Sequence, residues 1–488
     1  MLMAQSQLFA QSDTQWASPL KAELEAMADS LTANLKPWDV PRRTFRVERY
    51  GAKGDGKTMN TAAIQRAIDA CAKKGGGVVR FGKGDYVTGT IEIKSGVMLE
   101  VSKGARILGS TSLEDYPVRI EDHRSIISEY YKFRQSLIYA HKAQRVGIRG
   151  EGEIYFRGEK KHFSSPQTIG EIKGRPLGIR MIECSNVVMQ GIRLRNSAAW
   201  MQIYVLCRDL IFDGITVENQ ANFNNDGLDP DGCTNVIIRN VTINSEDDAM
   251  CLKGSACRPS RNVLIENSTF VSTCNAFKVG TDTQGDFSNV LVRNVVLGGI
   301  PESMPSIAGR ESSTGITIAT VDGGNVENML LQNVTINQAR CPIFVRIGNR
   351  GRILGDKSKF VPGYIKRIII EDVKGERNYK QGSFISGLDD RMIEDLYIRN
   401  VDLQMAGGGT ADLITNNVRQ NEGGYPDAHQ FSRPGLPAYG FFLRHVKGLT
   451  MENIRITPLK EDARPEIFNG GNAYDIRYND IVIPNNPN

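Results

Sequence analysis

The chain has no apolar run approaching the roughly 18 residues that a membrane-crossing helix needs, so no membrane insertion is expected. None of its eight cysteines forms a Cys-x-x-Cys pair, which leaves out zinc-site spacing. Its 60 basic and 55 acidic side chains are interspersed rather than blocked, and a net charge of +5 gives nucleic-acid binding no support. Residues Met1 to Thr14 lack the charged and apolar regions of a signal peptide. Ala-Gln-Ser at Ala4 and again at Ala10 nevertheless fits the start of an exported chain, and a secreted or periplasmic location is the expectation.

What is abundant is glycine, 49 of 488 residues, as a chain with many turns requires. One phrase recurs: Asn or Asp, an apolar/polar alternation, then Asn or Gly and a second alternation. It begins at Asn186, Asp209, Asn235, Asn262, Asn289 and Asn328, with further copies at Arg367, Asp395 and Gly448. The first five starts are 23, 26, 27 and 27 residues apart. Each phrase supplies two short period-two strands with a left-handed bend between them, which is one rung of a solenoid. A doubly wound α/β sheet would need helices of about 10 to 15 residues in these gaps, and they are absent from the pattern. The predicted fold is all-β, a right-handed parallel β-helix.

The spacing widens to 39 residues before Asn328 and before Arg367, and to 53 before Gly448. Such insertions gather on one face of a solenoid and build its binding site. Residues 61–71 predict an amphipathic helix with Ile64, Ala67, Ile68 and Cys71 on one stripe, Asn60 as its N-cap, and a role plugging the open end of the solenoid. Trp16 to Leu35 also reads as helical. The division expected is a helical extension over 1–44 and a single β-helix over 45–488.

Acidic residues crowd two places one rung apart: Asn224-Asn225-Asp226-Gly227-Leu228-Asp229-Pro230-Asp231, and Glu246-Asp247-Asp248. Asn, Asp and Gly are also the ordinary corner residues, but two clusters spaced to stack suit acid/base chemistry better. Inverting glycoside cleavage needs one protonated carboxyl at the leaving oxygen and a base holding water on the opposite face. Crowding is expected to raise the pKa of one member, with Lys253 nearby expected to hold the other carboxylates ionised. Several cysteines sit in apolar strand contexts and read as small buried residues, with one bridge among Cys251, Cys257 and Cys274 left open.

Tyr50-Gly51-Ala52-Lys53-Gly54-Asp55-Gly56, Asn224-Asn225-Asp226-Gly227 and Asp247-Asp248-Ala249-Met250-Cys251-Leu252-Lys253 together resemble glycoside hydrolase family 28, the polygalacturonases and rhamnogalacturonan hydrolases. The resemblance extends over Phe45 to Ile483. It implies hydrolysis of α-glycosidic bonds with inversion, Asp247 as general acid, Asp226 and Asp248 activating water, and neither cofactor nor metal. Two family elements are missing. Asn275 stands where the polygalacturonases have a histidine, and their Arg-Ile-Lys is replaced by Gly315-Ile316-Thr317-Ile318-Ala319-Thr320.

Replacement charge is expected from Lys278, Arg346 and Arg350, with a solvated turn as the alternative for the two arginines. Trp200 is a candidate sugar platform or a core residue. Tyr439 and Arg444 lie in a re-entrant segment suited to sugar contact, flanked by His429 and His445. Substrate binding is thus assigned to Lys253, Asn275, Lys278, Trp200, Arg346, Arg350, Tyr439 and Arg444. The partner is a pectin-related poly- or oligosaccharide, attacked in exo fashion behind insertions at 298–314, 346–364 and 404–440. The competing readings are a lyase or epimerase using calcium, and a carbohydrate-binding β-helix without catalysis. The oligomeric state is not legible.

Overall fold

The repeat phrase folds into rungs because its first residue takes a left-handed corner. The starts at Asn186, Asp209, Asn235, Asn262, Asn289, Asn328, Arg367, Asp395 and Gly448 all have φ between 52° and 69°. Asn, Asp and Gly enter this region at least cost, which is why they dominate these positions. Each corner amide is then tied to the rung before it. Asn235 Nδ2 donates to Asp209 Oδ1 (2.9 Å), Asn262 to Asn235 (3.1 Å), Asn289 to Asn262 (3.2 Å) and Asn328 to Asn289 (3.3 Å).

The computed structural model describes residues 14–131, 134–164 and 174–483. Ala4 and Ala10 lie outside them. The strands pair in parallel from end to end of a right-handed β-helix, except for a final antiparallel hairpin of Ala473–Tyr478 with Ile481–Ile483. Inward side chains stack in register: Val187, Leu210, Val236, Val263, Val290, Met329, Ile368, Leu396, Leu449 and Ile476 form one unbroken buried column. A rung alone would leave this face wet; stacking removes it from water at about 25 cal/mol per Å² of apolar area.

Helix α1, Ala17–Asn34, lies on the outside of the solenoid. Leu20, Leu24, Ala28 and Leu31 cover an outward column of Ile237, Leu264, Leu291, Leu330, Ile369 and Tyr397. Leu24 is 1% exposed, so Leu24→Ala is expected to cost about 2–5 kcal/mol, read as a lower urea midpoint with an unchanged slope. Helix α2, Thr61–Lys73, buries Ala63, Ile64, Ala67, Ile68 and Cys71 against the first rungs. Asn60 stands at its N-cap position but does not cap it through the side chain. Its amide instead accepts from Lys53 N (2.7 Å) and donates to Lys53 O (3.0 Å) and Thr58 O (2.7 Å), which holds the preceding turn. Among the described residues no helix is long and apolar enough to cross a membrane.

All eight cysteines are free, including Cys251, Cys257 and Cys274, so the bridge left open by their spacing does not form. Cys71, Cys184, Cys207, Cys233, Cys251 and Cys341 are buried as small apolar side chains.

Candidate active site

The strands of the rungs form two stacked parallel sheets; the smaller runs from Ile91–Glu92 to Ile467–Asn469, and the acidic clusters lie along it. Asp226 and the Asp247-Asp248 pair lie on neighbouring rungs. Gly227 N donates to Asp248 O (2.9 Å) and Asp247 N to Asn225 O (3.5 Å), which sets Asn225-Asp226 alongside Asp247-Asp248. Asn225 pins its loop by donating to Ser197 O (3.0 Å) and Ala199 O (2.9 Å), while its carbonyl oxygen accepts from Ala221 N and Asn222 N. Chain 246–249 is a bend, fixed by Ser245 Oγ and Ser272 Oγ donating to Asp247 O at 2.7 and 2.6 Å. The bend lets two consecutive aspartates serve one site, which an extended strand would forbid.

The two aspartates have opposite surroundings. Asp248 accepts from Lys278 Nζ (2.8 Å) and Asn275 Nδ2 (2.6 Å). Burial would raise its pKa, but Lys278, Lys253 and these hydrogen bonds outweigh burial and hold it below the usual carboxylate range. Asp247 accepts from Asn224 Nδ2 (3.2 Å) and from Asp248 N (2.9 Å), and among the described residues no cation is paired with it. Burial, then repulsion from Asp248, pushes its pKa up. Asp226 is pushed well up by burial and by Asp229 and Asp247; Lys253 stands 3.4 Å from it and Oδ1 has no partner. Burial pushes Asp229 up to about 8 despite Lys253 at 3.7 Å, and Glu246 likewise to about 8. Asp231 is raised to about 6 by burial while bonded to Ser255.

The remaining expected binding residues divide. Lys253 and Lys278 are in the site, each paired with aspartates. Asn275 orients Asp248, and its oxygen accepts from Thr314 (2.7 Å) and Thr317 (3.2 Å). Trp200 is 5% exposed within a side cluster, with the Lys253 ammonium 4.3 Å from its ring centre. It packs beneath the lysine and is not an open sugar platform.

The arginines are committed elsewhere. Arg350 is no solvated turn residue: its Nε is 3.0 Å from Asp322 Oδ1 and its fork reaches Thr281 O (2.6 Å). Arg346 and Arg444 are 1% and 2% exposed and donate to Gln420 O (2.7 Å) and Val418 O (3.0 Å) of the long insertion. A buried guanidinium must find acceptors, and the insertion provides them before any sugar can. Tyr439 packs against the core near Pro465 and Glu466, several rungs from the aspartates.

Two groups at the site were not singled out from the pattern. Asp427 of the 404–440 insertion is 3% exposed, and its Oδ1 lies 3.2 Å from Lys278 Nζ. Arg175, 3% exposed, donates to Asn224 Oδ1 (2.9 Å) and to Phe223 O, and Asn224 in turn holds Asp247. Asp427 falls in a segment flagged only as a wall, and Arg175 lies outside the repeat phrase. Asp247, Asp248 and Cys274 place ligand atoms within 4.8 Å of one another, as do Asp122, His141 and Glu183 on the surface. The cation beside the first trio is the Lys278 ammonium; beside the second it is Lys142, 2.9 Å from Asp122.

The insertion also closes the outward face beyond Lys278. Phe344, Phe384 and Phe442 stack on consecutive rungs at 5.3 and 5.4 Å, and Phe431 of the insertion sits on Phe384 at 4.4 Å. Val418, Ala428 and Leu436 complete this cover.

The profile of Glycosyl hydrolases family 28 matches residues 90–423, and that of Rhamnogalacturonase A/epimerase, pectate lyase-like, matches residues 44–104. A Vitis vinifera protein named "Probable polygalacturonase" is 24% identical over 388 residues, 73% of each chain. An "Exo-poly-alpha-D-galacturonosidase" of Dickeya chrysanthemi is 25% identical over 58% of this chain, which spans only 55% of that relative. The solved exopolygalacturonase of Thermotoga maritima superposes with a TM-score of 0.66 at 19% identity, covering 89% of this chain and 96% of its own.

Proposed function

The chain belongs to glycosyl hydrolase family 28, and from that premise we propose that it cleaves α-glycosidic bonds of a galacturonan or rhamnogalacturonan by inversion, from the chain end. One observation carries the reading. Neighbouring aspartates in a single bend have their pKa values driven in opposite directions, Asp247 up by burial and by Asp248, and Asp248 down by Lys278 and Lys253 against its burial. Such a split is how a site assigns one acid and one base at one pH.

Asp247 then protonates the leaving oxygen, while Asp248, kept ionised by Lys278, takes the proton of the attacking water. Asp226, its Oδ1 unpartnered in the same site, orients that water with Asp248. Asn275 and Lys278 aim the base, and Lys253 holds Asp226 and Asp229 together. The proposed setting is a secreted or periplasmic one, where pectic polymers are met.

Exo action is supported by the insertion that covers the sheet beyond Lys278, and by the exo-acting names of the Dickeya and Thermotoga relatives. The test is digestion of defined pectic and rhamnogalacturonan oligosaccharides with the first-formed anomer followed by NMR. The expected product is the β-anomer, released as single terminal units. An α-anomer, or an unsaturated product absorbing in the ultraviolet, would refute the inverting hydrolysis; random internal cuts would refute exo action alone.

A further inference from the structure

Lys278 is buried, and its ammonium stands between two carboxylates, Asp248 Oδ2 at 2.8 Å and Asp427 Oδ1 at 3.2 Å. One belongs to the catalytic bend. The other arrives from an insertion 149 residues further along the chain. We propose that Asp427 is a positioning residue of this active site: brought in by the docked insertion, it shares Lys278 with Asp248 and so sets the strength of both the acid and the base. The proposal rests on the reading of Asp247 and Asp248 given above.

The placement of Asp427 is not incidental. Its other oxygen lies 4.0 Å from Cys274 Sγ, the next residue's carbonyl accepts from Gln381 Nε2 at 2.8 Å, and Phe431 anchors the same turn on Phe384. The ring of Tyr425, two residues before it, lies 5.7 Å from the Lys278 ammonium. The titratable groups facing Asp427 are therefore Lys278 and Cys274 from one rung, Asp247 and Asp248 from the bend, and Tyr425 and His429 from the insertion, with His429 Nδ1 at 3.9 Å.

Two anions on one buried cation divide its field. With Asp427 neutral, the whole ammonium charge acts on Asp248 and makes it a weaker base. Asp247 simultaneously loses a repelling neighbour and gives up its proton more readily. Both changes have the same sign.

Asp427→Asn is accordingly expected to move both limbs of the kcat/KM profile to lower pH by about one unit, and to lower the rate on the alkaline side about tenfold. Asp427→Glu should restore the wild-type limbs. Thermal melting of each variant accompanies the kinetics, and Asp427→Ser replaces the Asn variant if the latter does not fold. A folded neutral variant that loses rate with both limbs unmoved overturns the proposal and leaves Asp427 a merely structural contact. A wild-type enzyme that hydrolyses none of the pectic oligosaccharides overturns instead the functional reading beneath it.

Discussion

Asp247→Asn is expected to lower hydrolysis of a natural pectic oligosaccharide by about 10²–10⁴-fold, the usual contribution of a positioned general acid. Asn keeps the shape of the side chain, and its one oxygen can still accept from Asp248 N, while the bond from Asn224 Nδ2 to the second carboxylate oxygen is lost. It cannot deliver a proton. The fold is expected to stay intact, because the bend is pinned through the backbone carbonyl of residue 247 by Ser245 and Ser272. A substrate with a good leaving group needs little protonation, so an aryl glycoside should lose far less than the natural bond does. Near-normal turnover of the natural substrate, with circular dichroism and melting unchanged, would remove Asp247 from the acid role.

Lys278→Met should be the most damaging substitution for stability, about 3–5 kcal/mol near neutral pH, because it leaves carboxylates buried without their counter-ion. The sign of the pH dependence follows from Asp248. In the native protein its pKa is held below the ordinary 3.8, so its contribution is present above that value and fades as the pH falls through the lowered one. Without Lys278, burial dominates and Asp248 titrates above 3.8, so the variant loses stability as the pH rises through the new value. The gap between the two proteins should therefore widen from acid to neutral pH. Urea unfolding at about pH 4 and pH 7 measures it. An equal gap at both would mean that the charge pair is not what Lys278 supplies, and activity should fall in parallel because the base goes neutral.

The architecture was legible because its physics is local and repeated. A left-handed corner wants Asn, Asp or Gly, and a stacked rung wants the same apolar alternation each time, so both leave a period in the chain. The aspartates were legible for a related reason: a carboxylate cluster one rung from another has to stack. What could not be read was anything set by the path of an insertion. Arg346 and Arg350 looked like hands for an acidic sugar, and only the fold reveals that the carbonyl of Gln420 holds the one and Asp322 the other. Asp427 was invisible for the same cause, since no repeat marks it and its partner is 149 residues away. Trp200 stood open between a sugar platform and the core, and only the packing of its neighbours, which leaves it 5% exposed, decides for the core.

Helix α1 has a bearing on this site that its distance from the chemistry conceals. Eighteen helical residues span about 27 Å, and five strand spacings of about 4.8 Å come to about 24 Å, so the helix matches the column of six residues from Ile237 to Tyr397. Ile237 lies in the strand that leads toward the catalytic bend; Tyr397 lies in the strand that leads into the insertion carrying Asp427. The helix is thus a splint across the interval that Lys278 bridges chemically. A solenoid free to flex or untwist there would let the two carboxylates drift apart, and the splint keeps the two ends of that interval in step.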